Sequence, residues 1–120
     1  MATTLLVTVG KQYIVDKLDS SVSTRLEYIA WGTGAGTTAA GDTTLFTEAS
    51  EARTLGTLSQ PAADTLRCVG TITATGPKTI TNAGTFTASS AGTLGVKGDF
   101  TGIVLATNDQ IQFTVDLQIT

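Results

Sequence analysis

Glu48 and Glu51, three residues apart, form a compact acidic pair in this 120-residue sequence. Two neighbouring carboxylates can hydrolyse a glycosidic bond when one is protonated and the other is ionised. The pair lies near a predicted turn, where solvated surface charge is the more common role. The sequence contains no histidine, so it lacks the commonest general base near neutral pH and the usual Ser-His and Cys-His pairs. We therefore predict that the protein is not an enzyme.

Glycine and aspartate patterns give no stronger indication of a binding site. The stretch WGTGAG, residues 31–36, superficially suggests a phosphate-binding loop. It lacks both the G-x-G-x-x-G spacing of a dinucleotide site and the GK[ST] ending of a P-loop. Asp42, Asp99 and Asp109 lie near predicted turns, but their spacing does not match a calcium-binding loop. The sequence predicts no cofactor and no metal ion.

Composition excludes several classes of partner. The net charge is −3, and the seven Lys and Arg residues are scattered without two of them adjacent. Because nucleic-acid binding needs a basic stripe that displaces counterions, we expect no DNA or RNA partner. The longest apolar stretch is far shorter than 18 residues, and no basic segment precedes the N-terminal one, so we expect neither a membrane span nor a signal peptide. Cys68 is the sole cysteine, and we interpret it as a core residue.

Hydrophobic periodicity predicts one helix near the N-terminus. Ile14, Leu18 and Val22 recur at four-residue intervals, which is typical of one face of an amphipathic helix. We predict a short helix over residues 8–19, with this apolar stripe facing the core. A brief extended segment should precede it.

The rest of the chain has the pattern of short strands. The last segment alternates most clearly, with Phe113 and its apolar neighbours on a core face and Thr114 and its polar neighbours facing water. Other predicted strands cover 25–31, 53–58, 65–75, 78–89 and 93–100, with Pro61 ending the second. Gly84 interrupts its strand, which indicates a bulge or a close backbone approach. Strands at intervals of about 8–14 residues predict a mainly β fold, a single antiparallel β-sandwich of jelly-roll or Ig-like type covering residues 1–120.

A Gly/Ala/Thr-rich loop, residues 32–47, is the most unusual feature of the sequence. It has too few apolar side chains to order itself by its own packing, so we predict a long arm available for contacts with other proteins. The N-terminal segment 1–9 should be free in the same way. Arg53 could form a bidentate pair with Glu48 or Glu51 and hold the end of this loop, or remain an exposed strand-end residue. Trp31 borders the loop, as a core residue or as an interface anchor.

Three stretches together resemble a family of known proteins. They are YIAWGTGAGTTAAGDTTLFTEASEAR (28–53), ITNAGTF (80–86) and DFTGIVLATNDQIQFTVDLQI (99–119). In this order and spacing they are similar to small structural proteins of tailed bacteriophage virions. Asn82 departs from the family pattern, which usually has an acidic residue there. The resemblance implies a location in the virion after synthesis in the cytoplasm of a host bacterium.

These observations lead to three hypotheses. The first is a capsid decoration or cement protein that binds the major capsid protein as a dimer or trimer; the second is a tail, baseplate or fibre-attachment component that binds tail proteins. The third is a carbohydrate-binding module or small hydrolase, and it would need Tyr13, Tyr28 and Trp31 exposed on one concave face. For the structural role we predict the following partner-binding residues: Leu5, Val7, Val9, Trp31, Thr33, Thr37, Thr38 and Leu45.

Overall fold

Alternating apolar residues pair into antiparallel strands over most of the chain. The structure is a computed structural model that describes residues 3–120. Its elements are β1 (Thr3–Leu6), α1 (Thr8–Leu18), β2 (Tyr28–Gly32), β3 (Thr54–Leu55), β4 (Thr57–Ala62), β5 (Thr65–Thr73), β6 (Lys78–Phe86), β7 (Leu94–Leu105) and β8 (Gln110–Gln118).

The strands form two antiparallel sheets that pack face to face. Sheet A has the order β1-β7-β6-β2-β3, and sheet B has the order β4-β5-β8. The prediction of a mainly β sandwich with one short helix and a long loop is confirmed. In sheet B, β5 and β8 are in register over nine consecutive pairs, from Thr65↔Gln118 to Thr73↔Gln110. Such a long unbroken ladder follows from the strict alternation of β8.

Sheet A carries buried apolar side chains on both faces. Between the sheets, Ile29, Trp31 and Ile72 belong to one core cluster. On the opposite face of sheet A, Leu45 and Phe86 belong to a second cluster that includes part of the long loop. Sheet A therefore lies between sheet B and the long loop, and α1 contacts β7 and faces Leu66 and Leu117 of sheet B.

The helix packs by a different face from the one predicted. Its buried residues are Gly10 and Tyr13, and a Cβ added at Gly10 would lie 2.7 Å from the carbonyl oxygen of Gly95 on β7. This close approach turns the predicted stripe partly outward, and Leu18 is 82 % exposed. The predicted helix over 8–19 is confirmed, but the core-facing role of Leu18 was wrong.

The predicted strands differ from the observed ones in their bounds, by most in two cases. The strand expected at 53–58 is divided at Gly56, where the chain passes from sheet A to sheet B. A Cβ at Gly56 would lie 2.4 Å from Cys68 Sγ, so this crossing needs glycine. Pro61 does not end β4 but lies inside it, at a shift of register between Ser59 and Ala62. β7 is also longer than predicted and continues to Leu105.

The two segments expected to be free are held by the domain. Thr3–Leu6 pairs with β7 from Thr3↔Asp99 to Leu6↔Val96, so segment 3–9 is not an arm; residues 1–2 lie outside the described part. The loop 32–47 folds back on sheet A, where Leu45 packs against Gly84. A Cβ at Gly84 would also lie 2.8 Å from the backbone carbonyl oxygen of Val96, and the register of β6 with β7 shifts between Gly84 and Phe86, which confirms the predicted irregularity. The prediction of an extended arm was wrong because sheet A supplies the hydrogen bonds that the loop lacks.

Candidate interaction surfaces

Glu51 is buried and fully hydrogen-bonded, contrary to its predicted surface role. Its carboxylate accepts hydrogen bonds from Trp31 Nε1 (3.0 Å), from Thr75 N (2.9 Å) and Oγ1 (3.1 Å), and from Lys78 Nζ. Burial disfavours the charge, but the bonds from Lys78, Thr75 and Trp31 outweigh it and lower the pKa of Glu51 to about 2. A carboxylate held in this state cannot donate a proton near neutral pH. Glu51 therefore joins β2, β6 and the β5–β6 turn.

Arg53 makes the bidentate pair that the sequence predicted, with Glu48. Nε and Nη2 donate to the two carboxylate oxygens at 2.9 and 3.0 Å. Nη1 donates to the carbonyl oxygens of Ala88 and Ala91, and the guanidinium carbon lies 3.6 Å from the centre of the Phe86 ring. Every part of this side chain is engaged, so Arg53 fastens the segment after the loop to the β6–β7 turn.

Lys97 and Asp99 on β7 hold the middle of the loop. Lys97 is fully buried, and its ammonium donates to Asp42 Oδ2 (2.9 Å) and to the carbonyl oxygen of Thr44 (2.8 Å). The same ammonium lies 3.3 Å from the centre of the Phe46 ring, and its hydrogen bond lowers the pKa of Asp42. Asp99 Oδ1 accepts a hydrogen bond from the backbone N–H of Thr38 at 2.9 Å.

Asn82 holds the end of the loop. Its Oδ1 accepts from the N–H of Phe46 (3.0 Å), and its Nδ2 donates to the carbonyl oxygen of the same residue (3.1 Å). The side chain thus imitates a neighbouring strand. We call Asn82, Lys97 and Asp99 the loop clasp. The sequence analysis assigned this role to none of the three, and its placement of Asp99 near a turn was wrong, because Asp99 lies inside β7. Buried polar groups on a strand need partners, so Lys97 and Asp99 were a usable signal.

The eight predicted partner-binding residues do not form one surface. Val7, Trp31, Thr38 and Leu45 are buried in the domain, and Trp31 is only 1 % exposed. As predicted contact residues these four were wrong, since a partner cannot reach them while the fold is intact. Thr33 and Thr37 are exposed, and Leu5 and Val9 are half-buried. The aromatic rim of a carbohydrate site is likewise absent from the described residues, because Tyr13 and Trp31 are buried.

A continuous apolar surface, larger than any formed by the predicted contact residues, lies where α1 meets the end of sheet B. Ile14 and Leu18 of the helix face Leu58, Leu66 and Leu117 across a groove of about 210 Å³. The same Leu66 and Leu117 continue into a shallow depression of about 500 Å³ that reaches Ile119, which is 58 % exposed. We call this surface the apolar end. Contiguous apolar exposure of this kind typically marks a protein-interaction site.

Cys68 offers no reactive group at the surface. It is buried between the sheets, and burial raises the pKa of its thiol to about 11. A thiol in that state is inert at neutral pH. Its predicted role as a core residue is confirmed.

Residues 3–120 contain no cluster of acidic and cysteine side chains arranged to hold a metal ion. In the same range, no helix has the length and hydropathy needed to cross a membrane. We also compared the chain with protein-family models, with curated proteins and with solved structures, and none of these three comparisons found a match.

Proposed function

We propose that this chain is a non-enzymatic structural protein of a tailed-phage virion, a capsid decoration protein that binds the major capsid protein. It would be made in the cytoplasm of the host bacterium and act in the virion. The proposal includes association into a dimer or trimer, since a single copy exposes the apolar end. The apolar end, where Leu18 is 82 % exposed, is the observation that carries the interaction role.

The resemblance of segments 28–53, 80–86 and 99–119 to small virion proteins supports the virion location. The departure at Asn82 affects a position that here belongs to the loop clasp. The amide supplies both a donor and an acceptor to Phe46, whereas an ionised carboxylate could only accept. The amide at this position therefore suits a loop held by its own domain.

The distribution of charge supports a binding role over a catalytic one. The charged groups with the most unusual surroundings, Glu51, Arg53 and Lys97, have all their partners inside the domain. At the apolar end, by contrast, Leu18 and Ile119 remain largely exposed. A decoration protein needs this combination, because many copies of a rigid module with an apolar patch can bind the repeated subunits of a capsid lattice. Several weak contacts then act together through their high effective concentration.

Protein quantification of purified particles tests the proposal. A copy number comparable with that of the major capsid protein is expected of a decoration protein. A few copies per particle would place the chain in the tail and favour the alternative of a tail, baseplate or fibre-attachment component. Absence from particles would overturn the virion role altogether.

A matched pair of variants tests the surface. Leu18→Lys and Gln12→Lys each add one positive charge to an exposed position of α1. We expect Leu18→Lys to reduce incorporation into particles at least tenfold and Gln12→Lys to leave it unchanged. Equal incorporation of the two variants would show that the apolar end is not the contact surface.

A further inference from the structure

The strand β8 leaves one edge of sheet B open. It is last in the order β4-β5-β8, so one side has no strand neighbour among residues 3–120. Proteins usually protect such edges by proline, bulges, charges or short length. The other three edges follow this rule: β4 contains Pro61 and a register shift, β1 has four residues, and β3 has two. β8 has nine residues, neither proline nor glycine, and one charge.

The hydrogen bonds at the two ends of the ladder show which β8 groups face the open side. Ile119 N–H donates to Asp64 O at 2.9 Å, and Ala74 N–H donates to Asp109 O at 2.8 Å. Odd-numbered residues of this segment therefore direct their backbone groups toward β5. The even-numbered residues direct theirs toward the open edge: Gln110, Gln112, Thr114, Asp116 and Gln118.

An apolar cleft runs beside this edge. Its volume is about 240 Å³, and its floor is formed by Val96, Gly98 and Phe100 of β7 and by Thr4 of β1. Its wall includes Phe113 and Val115, which point between the sheets but are only half-buried. Sheet A thus extends past β8, and sheet B lacks the strand that would cover this part of it.

The single charge on β8 is already neutralised. Asp116 accepts two hydrogen bonds from Arg67 on β5, at 2.8 and 3.0 Å, and these bonds lower the pKa of Asp116. The cleft side of the edge therefore presents backbone donors and acceptors above an uncharged apolar floor. Its complement is an extended segment with apolar side chains at alternate positions and no charge among them.

We propose that the β8 edge and its cleft bind one extended segment of a partner chain, which becomes the fourth strand of sheet B. A second whole copy is a poorer occupant, because the two-fold axis of an antiparallel β8–β8 pair puts both copies of sheet A on one side. The β7 and β1 strands that extend past β8 in each copy would then meet. A single strand avoids this collision and covers Phe113 and Val115. The inference describes how a partner would be held and so rests on the proposed function, but its test needs no particle.

The test uses the purified chain and a synthetic peptide. The peptide copies residues 110–118 with Asp116→Asn, which gives an uncharged strand with alternate apolar side chains. We expect residue-resolved hydrogen exchange to slow at least tenfold at Gln112, Thr114 and Asp116 when the peptide is added. Exchange at the intervening odd-numbered amides should not change, since β5 already protects them.

Two variants serve as matched controls. Thr114→Pro removes one N–H at the open edge but none of the hydrogen bonds between β5 and β8, so it should weaken peptide binding at least tenfold. Thr114→Ala keeps this N–H and should bind the peptide as the wild type does. A peptide with serine in place of its Phe and Val should not bind. Protection of the even-numbered amides by self-association without peptide would overturn the proposal in favour of a second copy. Unchanged exchange at these amides with millimolar peptide would overturn it as well.

Discussion

The two faces of sheet A are covered in opposite ways. On one face, the loop 33–47 has few apolar side chains and is fixed by buried polar groups, the loop clasp and the Arg53–Glu48 pair. On the other face, sheet B is rich in apolar side chains but consists of three strands. Its inward residues on β8 remain half-buried. The loop-covered face, whose sequence has fewer apolar residues, is therefore buried more completely than the face covered by sheet B.

This difference shows where binding capacity remains. Buried polar contacts need exact partners, and on the loop side nearly all of them lie within the chain; Thr38 Oγ1 is the exception among the described residues. Apolar burial is not directional, and it is incomplete at the apolar end and at the β8 cleft. The sequence interpretation placed partner contacts in the loop, at Trp31 and in the N-terminal segment, whereas the incompletely buried apolar side chains lie on sheet B and α1.

Two phenylalanines, one on each face of sheet A, should give the largest difference in unfolding free energy when they are replaced by alanine. Phe86 is buried on the loop side, and its loss as Phe86→Ala should cost about 4 kcal/mol of unfolding free energy. Phe113 is half-buried, so Phe113→Ala should cost about 2 kcal/mol, in proportion to the smaller area removed from the core. Denaturant unfolding at low protein concentration measures both. Equal losses would mean that the two sides are equally closed.

The loop clasp should contribute nearly as much to the unfolding free energy as Phe86 does. Lys97→Met keeps an aliphatic chain but leaves the loop without its ammonium partner, and we expect a loss of about 3 kcal/mol. Lys11→Met, at an exposed position of α1, is the control and should change stability by less than about 0.5 kcal/mol. A small effect at Lys97 would contradict the description of the loop as held by buried charge.

Acid should weaken the tie made by Glu51. The pKa of Glu51 is about 2 in the folded state and 4.5 in the unfolded chain. Its contribution to the unfolding free energy is therefore fully present above pH 4.5 and is lost as the pH falls toward 2. That shift corresponds to up to about 3 kcal/mol. Unfolding free energies of wild type and Glu51→Gln between these pH values should differ in slope, with the variant less pH-dependent. Parallel pH profiles would exclude this role.

The apolar end should hardly affect the stability of the isolated chain. Leu18→Lys removes a side chain that is 82 % exposed, and we expect a change of less than about 0.5 kcal/mol. Thermal or denaturant unfolding of Leu18→Lys, with Gln12→Lys as the control variant, measures this change. A loss above 1 kcal/mol would show that Leu18 belongs to the core, as the helical stripe predicted.

The parts predicted correctly are those that depend on local pattern. The alternation of β5 and β8, the turn-bounded strands and the spacing of Arg53 from Glu48 each specify structure within a few residues. The loop clasp depends instead on strand register. Asn82 lies opposite Asp99, and Gly84 lies opposite Lys97, so the three polar side chains share a face only after β6 and β7 have paired. A lysine and an aspartate two residues apart inside an apolar strand were the available signal.

The exposed surfaces were harder to predict for a related reason. The helical stripe of Ile14 and Leu18 is the same whether a helix faces the core or a groove. The small residues Gly10 and Gly95 favour this docking face, because they let the two backbones approach closely. The final strand likewise has the same alternation at the centre of a sheet as at its edge. Its position at the edge follows from the order of the whole sheet.

Residue-resolved hydrogen exchange on the dilute wild-type chain tests the central comparison most directly. The N–H groups of Gly34, Thr38 and Phe46 are hydrogen-bonded within the domain, so they should exchange slowly. Those of Gln112, Thr114 and Asp116 face the open edge and should exchange fast. Fast exchange at the three loop amides together with slow exchange at the three β8 amides would reverse the assignment of closed and open sides and contradict the account.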